Sequence, residues 1–264
     1  MPLPLTVVGA PALADRLAPL GPAAGPAVGA RVVVVGGPVA ERLGRAASAV
    51  GEGAHVFVLW PPAPSAREAG ALADRAEEAG VEVGVARPLG ARALAGVPAG
   101  WAARLVTLTL VARPGGALAE AGWPGLLAGA LDLCATLAGA RDAGRLEAVA
   151  ERDGDALRAV ALAGRFETGA YAQAVVRFSD EAADDEVALY ASRPGSHVEA
   201  RTLDEPLRPR PAPDAPAGAA SGDALADEVA AFVRAVEAGR PPAYGLAAAR
   251  AALQLVERVR DQLR

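Results

Sequence analysis

Four short apolar runs, each too brief for a helix, limit what the first third of this chain can become. They are Leu5 to Gly9 (LTVVG), Arg31 to Gly36 (RVVVVG), His55 to Trp60 (HVFVLW) and Val81 to Val85 (VEVGV). Runs that are apolar throughout, rather than alternating, read as strands buried on both faces. Between them lie stretches with helical spacing, Ala12 to Leu20 and Pro38 to Val50, and a Gly/Pro-rich link from Gly21 to Ala30. A third helix opens at Ser65, with Glu68 in capping-box position, and runs to Ala79 before Gly80 stops it. Strand and helix in alternation predict a parallel sheet covered on both faces.

After Gly90 the pattern changes. Arg104 to Arg113 alternates as a strand and Leu126 to Ala138 is an apolar helix. Ala156 to Phe166, Ala170 to Phe178 and Glu186 to Ser192 alternate apolar with polar, as half-exposed antiparallel strands do. Pro206 to Gly222 reads as a loose Pro/Ala/Gly linker, and His197 falls in a turn. Two helices close the chain, Asp223 to Ala238 and Leu246 to Leu263, with Gly239 to Gly245 (GRPPAYG) as a hard break. The fold class expected is α/β. Residues 1–90 would form a truncated Rossmann-like parallel-sheet domain, and 91–264 an α+β domain with an open, mostly antiparallel sheet. Whether the closing helices pack back on the first domain stays open.

Composition removes several classes of function. A net charge of -5 gives no bulk attraction for nucleic acid or an anionic membrane surface. The 26 basic residues are all arginine, so no lysine can serve as a tunable acid or a Schiff-base amine. Cys134 is the only cysteine, which excludes an intrachain disulfide and fits a buried small hydrophobe. With no basic start ahead of an apolar core and no apolar run long enough to span a bilayer, a cytoplasmic protein is expected. Glu77-Glu78 and Asp184-Asp185-Glu186 read as solvated faces without a partner His or Cys, so no metal site is expected. Arg208 and Arg210, flanking prolines, read as part of the linker.

Two segments carry a resemblance. Gly53 to Val85 is similar to a stretch that begins G-K-H-V, passes through E-K-P and a helix, and ends in a strand; Glu228 to Leu263 is similar to a closing helix pair. Gly164 to Phe178 and Val187 to Val198 match strands between them. In this order and spacing the chain, from Arg31 onward, resembles the glucose–fructose oxidoreductase and inositol dehydrogenase family, the Gfo/Idh/MocA family. The resemblance implies a dinucleotide-binding domain, NAD(P) as the cofactor if there is one, and a C-terminal sheet through which copies or paralogues assemble.

The departures fall at the positions where the resemblance implies chemistry. Leu59, Trp60 and Pro61 match E-K-P, so an indole stands where the family has its proton-moving lysine. Gly129-Ala130-Leu131-Asp132 matches a helix motif H-x-x-D, keeping Asp132 and replacing the histidine by Gly129. A dinucleotide fingerprint wants G-x-G-x-x-G/A after the first strand. Gly9-Ala10-Pro11-Ala12-Leu13-Ala14 keeps Gly9 and the small Ala14 but puts Pro11 at the close-approach glycine, removing a backbone donor. Gly25 to Ala30 offers no carboxylate for a ribose, and the interval before Arg31 is too short for two βα units, which reads as a deletion.

The substrate cleft implied by the resemblance would hold Trp60, Pro61, Gly129 and Asp132. Trp60 is then a platform for a sugar ring or a packing residue at a strand end, and Asp132 a remnant polar ligand or a structural acid. If chemistry persists, its acid/base candidates are Asp132, His55 and Tyr171. The losses together point to a protein that has given up hydride transfer and acts as a binding or scaffolding subunit, in a homo-oligomer or with an active paralogue. The alternatives are an NAD(P)-dependent oxidoreductase, or a lyase or isomerase, acting on a sugar- or polyol-like substrate with other residues, and a sensor that binds sugar without cofactor.

Overall fold

A computed structural model of the chain describes residues 5–20, 31–89, 91–120, 122–203, 205–210 and 223–264. The elements run β1 (Leu5–Val8), α1 (Pro11–Leu17), β2 (Val32–Val35), α2 (Val39–Gly51), β3 (His55–Val58), α3 (Ala66–Ala79), β4 (Val83–Val85) and α4 (Ala91–Ala95). There follow β5 (Leu105–Ala112), α5 (Ala117–Glu120), α6 (Gly122–Leu137), β6 (Ala143–Asp153), β7 (Ala156–Phe166), β8 (Tyr171–Phe178), β9 (Glu186–Arg193), β10 (Ser196–Ala200), α7 (Ala224–Glu237) and α8 (Leu246–Gln262). The described residues fall into two units, one within Met1–Arg87 and Ser221–Ala251, the other within Pro88–Ala220 and Ala252–Arg264.

The first unit is built on a four-stranded sheet in the order β1-β2-β3-β4, parallel throughout. Because side chains alternate along a strand, Val33, Val35, Val56 and Val58 face one way and Val32, Val34 and Phe57 the other. The first set packs against α2, α3 and the start of α8 through Ala46, Val50, Leu72 and Ala249. The second set packs against Leu13 and Leu17 of α1 and against Val229 and Phe232 of α7. Both faces are therefore covered, which is why these strands are apolar at nearly every position. The expected capping box of α3 is present: the Glu68 amide donates to Ser65 Oγ at 3.2 Å and the Ser65 hydroxyl donates to Glu68 at 2.6 Å. Gly80 closes the helix in the left-handed conformation, φ +66°.

One connection departs from its neighbours. The chain steps in the same direction across the sheet from β1 to β2 to β3 to β4, yet α1 lies on one face while α2 and α3 lie on the other. Helices α1 and α2 thus leave to opposite faces from adjacent strands, at the carboxyl ends of β1 and β2.

The second unit holds a six-stranded sheet, β10-β9-β5-β8-β7-β6, in which only β5 and β8 run parallel. This is the open, mostly antiparallel sheet expected. Val106, Leu108 and Leu110 of β5 and Ala172, Ala174 and Val176 of β8 are buried on the face against which α6 packs. That helix is apolar nearly all round, and Asp132 is the buried charged residue within it. The β6 edge is covered by side chains of α8: Gln262 accepts from the Ala148 amide and donates to the Leu146 carbonyl, each at 2.8 Å, and Arg258 donates to the Ala143 carbonyl at 2.7 Å.

Several expectations are corrected here. Helix α6 begins at Gly122 rather than Leu126, and strand β6 occupies a stretch that the sequence left unassigned. His197 lies in β10, not in a turn, and its ring stacks on Tyr190 with centroids 5.9 Å apart. Residues 206–210 are not loose: the Leu207 amide donates to Ala93 O at 2.8 Å, Leu207 is buried, and Arg210 forms a two-way backbone bridge with His197. The rest of that linker, 211–222, and the 21–30 link lie outside the described residues.

Candidate functional site

In a doubly wound sheet the ligand crevice lies at the carboxyl ends of the strands, where neighbouring connections leave to opposite faces. Here that place is formed by the turn Gly9-Ala10 before α1, by Gly36-Gly37 before α2, and by Leu59-Trp60-Pro61 after β3. Gly9 and Gly37 both take positive φ, +82° and +85°, and a Cβ built on Gly37 would lie 2.3 Å from the Gly9 carbonyl oxygen. The two turns thus meet backbone to backbone.

Arginines of α2 fill what remains. A Cβ on Gly9 would lie 1.8 Å from Arg45 Nη1, so the guanidinium stands in the space beside the first turn, whose Gly9 stays exposed. Arg45 donates to the Gly36 carbonyl at 3.4 Å and pairs with Glu41 one helical turn earlier. Arg42, one turn before Arg45 on the same side, donates to Gly37 O at 2.7 Å, to Trp60 O, and to Pro61 O at 3.4 Å. Burial lowers the Arg42 guanidinium from its usual value. Neither arginine can take or release a proton in an ordinary reaction.

The residues singled out from the sequence fall as follows. Pro11 is the first residue of α1, where a missing N–H costs a helix nothing; Ala14 is exposed within that helix. Trp60 is half-buried and packs against the core beneath α2 and α3, and its bond to Pro61 is cis. His55 sits at the amino end of β3, in register with Val32, so it lies at the other end of the sheet from Gly9 and Trp60. Its Nδ1 accepts from the Glu82 amide at 3.0 Å, and burial lowers its pKa against the opposing pull of Glu82.

In the second unit, Gly129 and Asp132 lie one turn apart on α6, both buried. A Cβ on Gly129 would lie 2.4 Å from Leu89 Cγ and Cδ1 and 2.8 Å from its Cβ, so the space beside Gly129 is filled by leucine. Tyr171 opens β8, is 44% exposed, and alternates with the inward-facing Ala172. It therefore faces away from α6, and the sheet separates it from Asp132. Cys134 is buried; desolvation first, then Asp132, push its thiol up to about 12. Among the described residues no group of His, Cys, Asp and Glu could hold a metal ion, and no helix is long and apolar enough to cross a membrane.

The sequence reading did not find Arg42, Arg45 or Leu89. A Gly-Gly-Pro turn followed by arginines at i and i+3 was a usable signal for the first two; nothing local pairs Leu89 with Gly129, forty positions away.

No family model matches this sequence, and no curated protein matches it. Solved structures do. UDP-N-acetylglucosamine 3-dehydrogenase GnnA from Acidithiobacillus ferrooxidans is similar over 88% of this chain and 78% of its own, with TM-score 0.75 and 20% identity. An oxidoreductase from Agrobacterium radiobacter, solved with NAD+, L-tartaric acid and magnesium, covers 88% and 77%, with TM-score 0.69 and 14% identity. Biliverdin reductase from Synechocystis sp. PCC 6803, solved with biliverdin and NADP+, covers 88% and 79%, with TM-score 0.65 and 14% identity. The chain shares the fold of these dehydrogenases and reductases.

Proposed function

We propose that this chain is an oxidoreductase-fold protein of the Gfo/Idh/MocA type that has lost hydride transfer and works as a binding or scaffolding subunit. The observation that carries the reading is Arg45 lying beside Gly9. A dinucleotide's pyrophosphate needs that bare backbone and the amides beside it. Here a guanidinium stands in the space a Cβ on Gly9 would take, Gly37 crowds the same place, and Pro11 lacks the amide. The residues present do not fit NAD(P), and we derive no step through it.

The placement of α1 on the face opposite α2 and α3 supports the same history, because a chain that lost strands between α1 and β2 would keep α1 on its old face. Without a lysine, and with Leu89 filling the space beside Gly129, no proton carrier stands at the positions where the family has its own.

The subunit role rests on the outer face of the six-stranded sheet, opposite α6. Leu105, Val149, Tyr171, Val175 and Tyr190 are all exposed there, around a neutral centre of Thr107, Thr109, Ala161 and Gln173. Exposed apolar side chains around an uncharged centre are what a partner surface offers. Its rim carries both signs, Arg165 and Arg177 with Glu147, Glu151 and Glu186, which suits a second copy of the same face better than a partner of one charge. Sedimentation should give a dimer or larger that Val175→Glu dissociates; a monomer at every concentration would remove this part of the reading.

A second reading keeps catalysis: swinging Arg45 out would leave a cationic crevice between α1 and α2 suited to a dinucleotide, with Trp60 at its edge and a sugar- or polyol-like substrate. A screen of polyols and sugar nucleotides, followed by nicotinamide absorbance, separates the two. No turnover is expected with any substrate. Turnover that Asp132→Asn abolishes without loss of fold would establish the second reading instead.

A further inference from the structure

The cavity at the far end of α6, within the second unit, is a different kind of place from the crevice of the first. It measures about 410 Å³, within the range of small-molecule sites. Trp123 and Leu127, one turn apart on α6, form its floor with Leu157 of β7, and the Trp123 ring is held by Phe178 at a centroid distance of 4.9 Å. Three arginines also line it, Arg152 of β6, Arg260 of α8 and Arg264 just beyond α8, and no Asp or Glu does. In a chain of net charge -5 such a concentration of positive charge is local, not a property of the whole surface.

Two of the three guanidiniums have partners at the rim, which hold them in place, and Arg260 has none among these contacts. Arg152 donates to the Leu263 carbonyl at 3.2 Å and to the Asp155 carbonyl at 3.3 Å, and Asp261 pairs with Arg264 at 3.4 Å. The first of these contacts answers the carbonyl end of α8, which would otherwise repel an anion. An apolar floor with an aromatic wall wants a flat or acyl body, and lining guanidiniums want a planar anion that can accept two hydrogen bonds at once.

We propose that this cavity binds an amphipathic organic carboxylate, with its aryl or acyl body on Trp123 and Leu127 and its anionic head among Arg152, Arg260 and Arg264. The site is independent of the cofactor crevice and of whether the chain retains any redox activity.

Fluorescence titration of the full chain with anilinonaphthalenesulfonate, a flat aromatic anion, tests this. Saturable binding should be reversed by octanoate and not by octanol at the same concentration. Arg260→Gln with Arg264→Gln should weaken it by about tenfold or more, as expected for two lost charge-assisted contacts, while Arg240→Gln leaves it unchanged. Leu157→Trp, which fills the cavity and keeps every charge, should abolish it. Equal displacement by octanol, unchanged binding in either cavity variant, or binding that never saturates overturns the proposal.

Discussion

Gly129→Ala is the simplest perturbation whose sign depends on one neighbour. In the middle of a helix, alanine gains about 1 kcal/mol over glycine. Against this, the new Cβ would lie 2.4 Å from Leu89 Cγ and Cδ1 and 2.8 Å from Leu89 Cβ. Because the last of these sits next to the backbone, a rotamer change does not relieve it. Overpacking of this kind costs about 1–3 kcal/mol, so Gly129→Ala should destabilise by a net ~0–2 kcal/mol. Leu89→Ala alone removes part of a half-buried side chain and should cost ~1–2 kcal/mol. In that background the clash is gone, and Gly129→Ala should stabilise by about 1 kcal/mol. The coupling between the two positions, about 1–3 kcal/mol, is readable from urea unfolding of the four proteins, followed by circular dichroism and tryptophan fluorescence. Effects that simply add, within about 0.5 kcal/mol, would show that Leu89 does not occupy the space beside Gly129. A histidine begins with the same Cβ, so restoring one at this position is expected to disturb α6 before it restores any chemistry.

Three further outcomes follow from local electrostatics and capping. Cys134, its thiol pushed up to about 12 by burial and then by Asp132, should resist alkylation at mildly alkaline pH except as fast as the protein unfolds. Because the folded thiol stays protonated where an unfolded thiol ionises, stability should also fall as pH rises above the ordinary thiol value, and Cys134→Ala should remove that loss. Asp223, the N-cap of α7, is held at about 2 first by its hydrogen bonds from Arg16, at 2.6 and 2.7 Å. Its contribution should be complete above the ordinary carboxylate value and vanish as pH falls through 2; Arg16→Ala should raise the Asp223 pKa, measurable by carbon NMR. Ser65→Ala breaks the capping box of α3 and should cost ~1 kcal/mol in thermal or urea unfolding.

What the sequence could disclose followed from how each element satisfies itself. Val32 to Val35 is apolar at every position because both faces of its sheet are covered, and no other element explains such a run. Helix α3 announced both ends, through Ser65 with Glu68 and through Gly80. Strand β6 gave no such signal. Ala143 to Asp153 is rich in Ala, Glu and Arg, which favour helices, and apart from Ala143 only Leu146 along it is buried. It is a strand because β7 pairs along its length and α8 covers its other edge, and both partners are remote in sequence.

The candidate site divides in the same way. That the chain has no lysine is legible because such a statement needs no geometry. What stands beside Gly9 and Gly129 was not. Arg45 meets Gly9 from the next connection and Leu89 meets Gly129 from forty positions away, and no spacing rule connects such pairs. His55 and Tyr171 were proposed on chemistry alone; the fold puts the first at the amino end of its sheet and the second on the outer face of another.

Calorimetric titration of the chain with NAD+, NADH, NADP+ and NADPH addresses the occupied turn at Gly9 directly. With Arg45 beside Gly9, none of the four should release or absorb heat beyond dilution up to millimolar concentration, whereas Arg45→Gly should leave the fold intact. Micromolar binding of any of them to the unmodified chain would contradict the account.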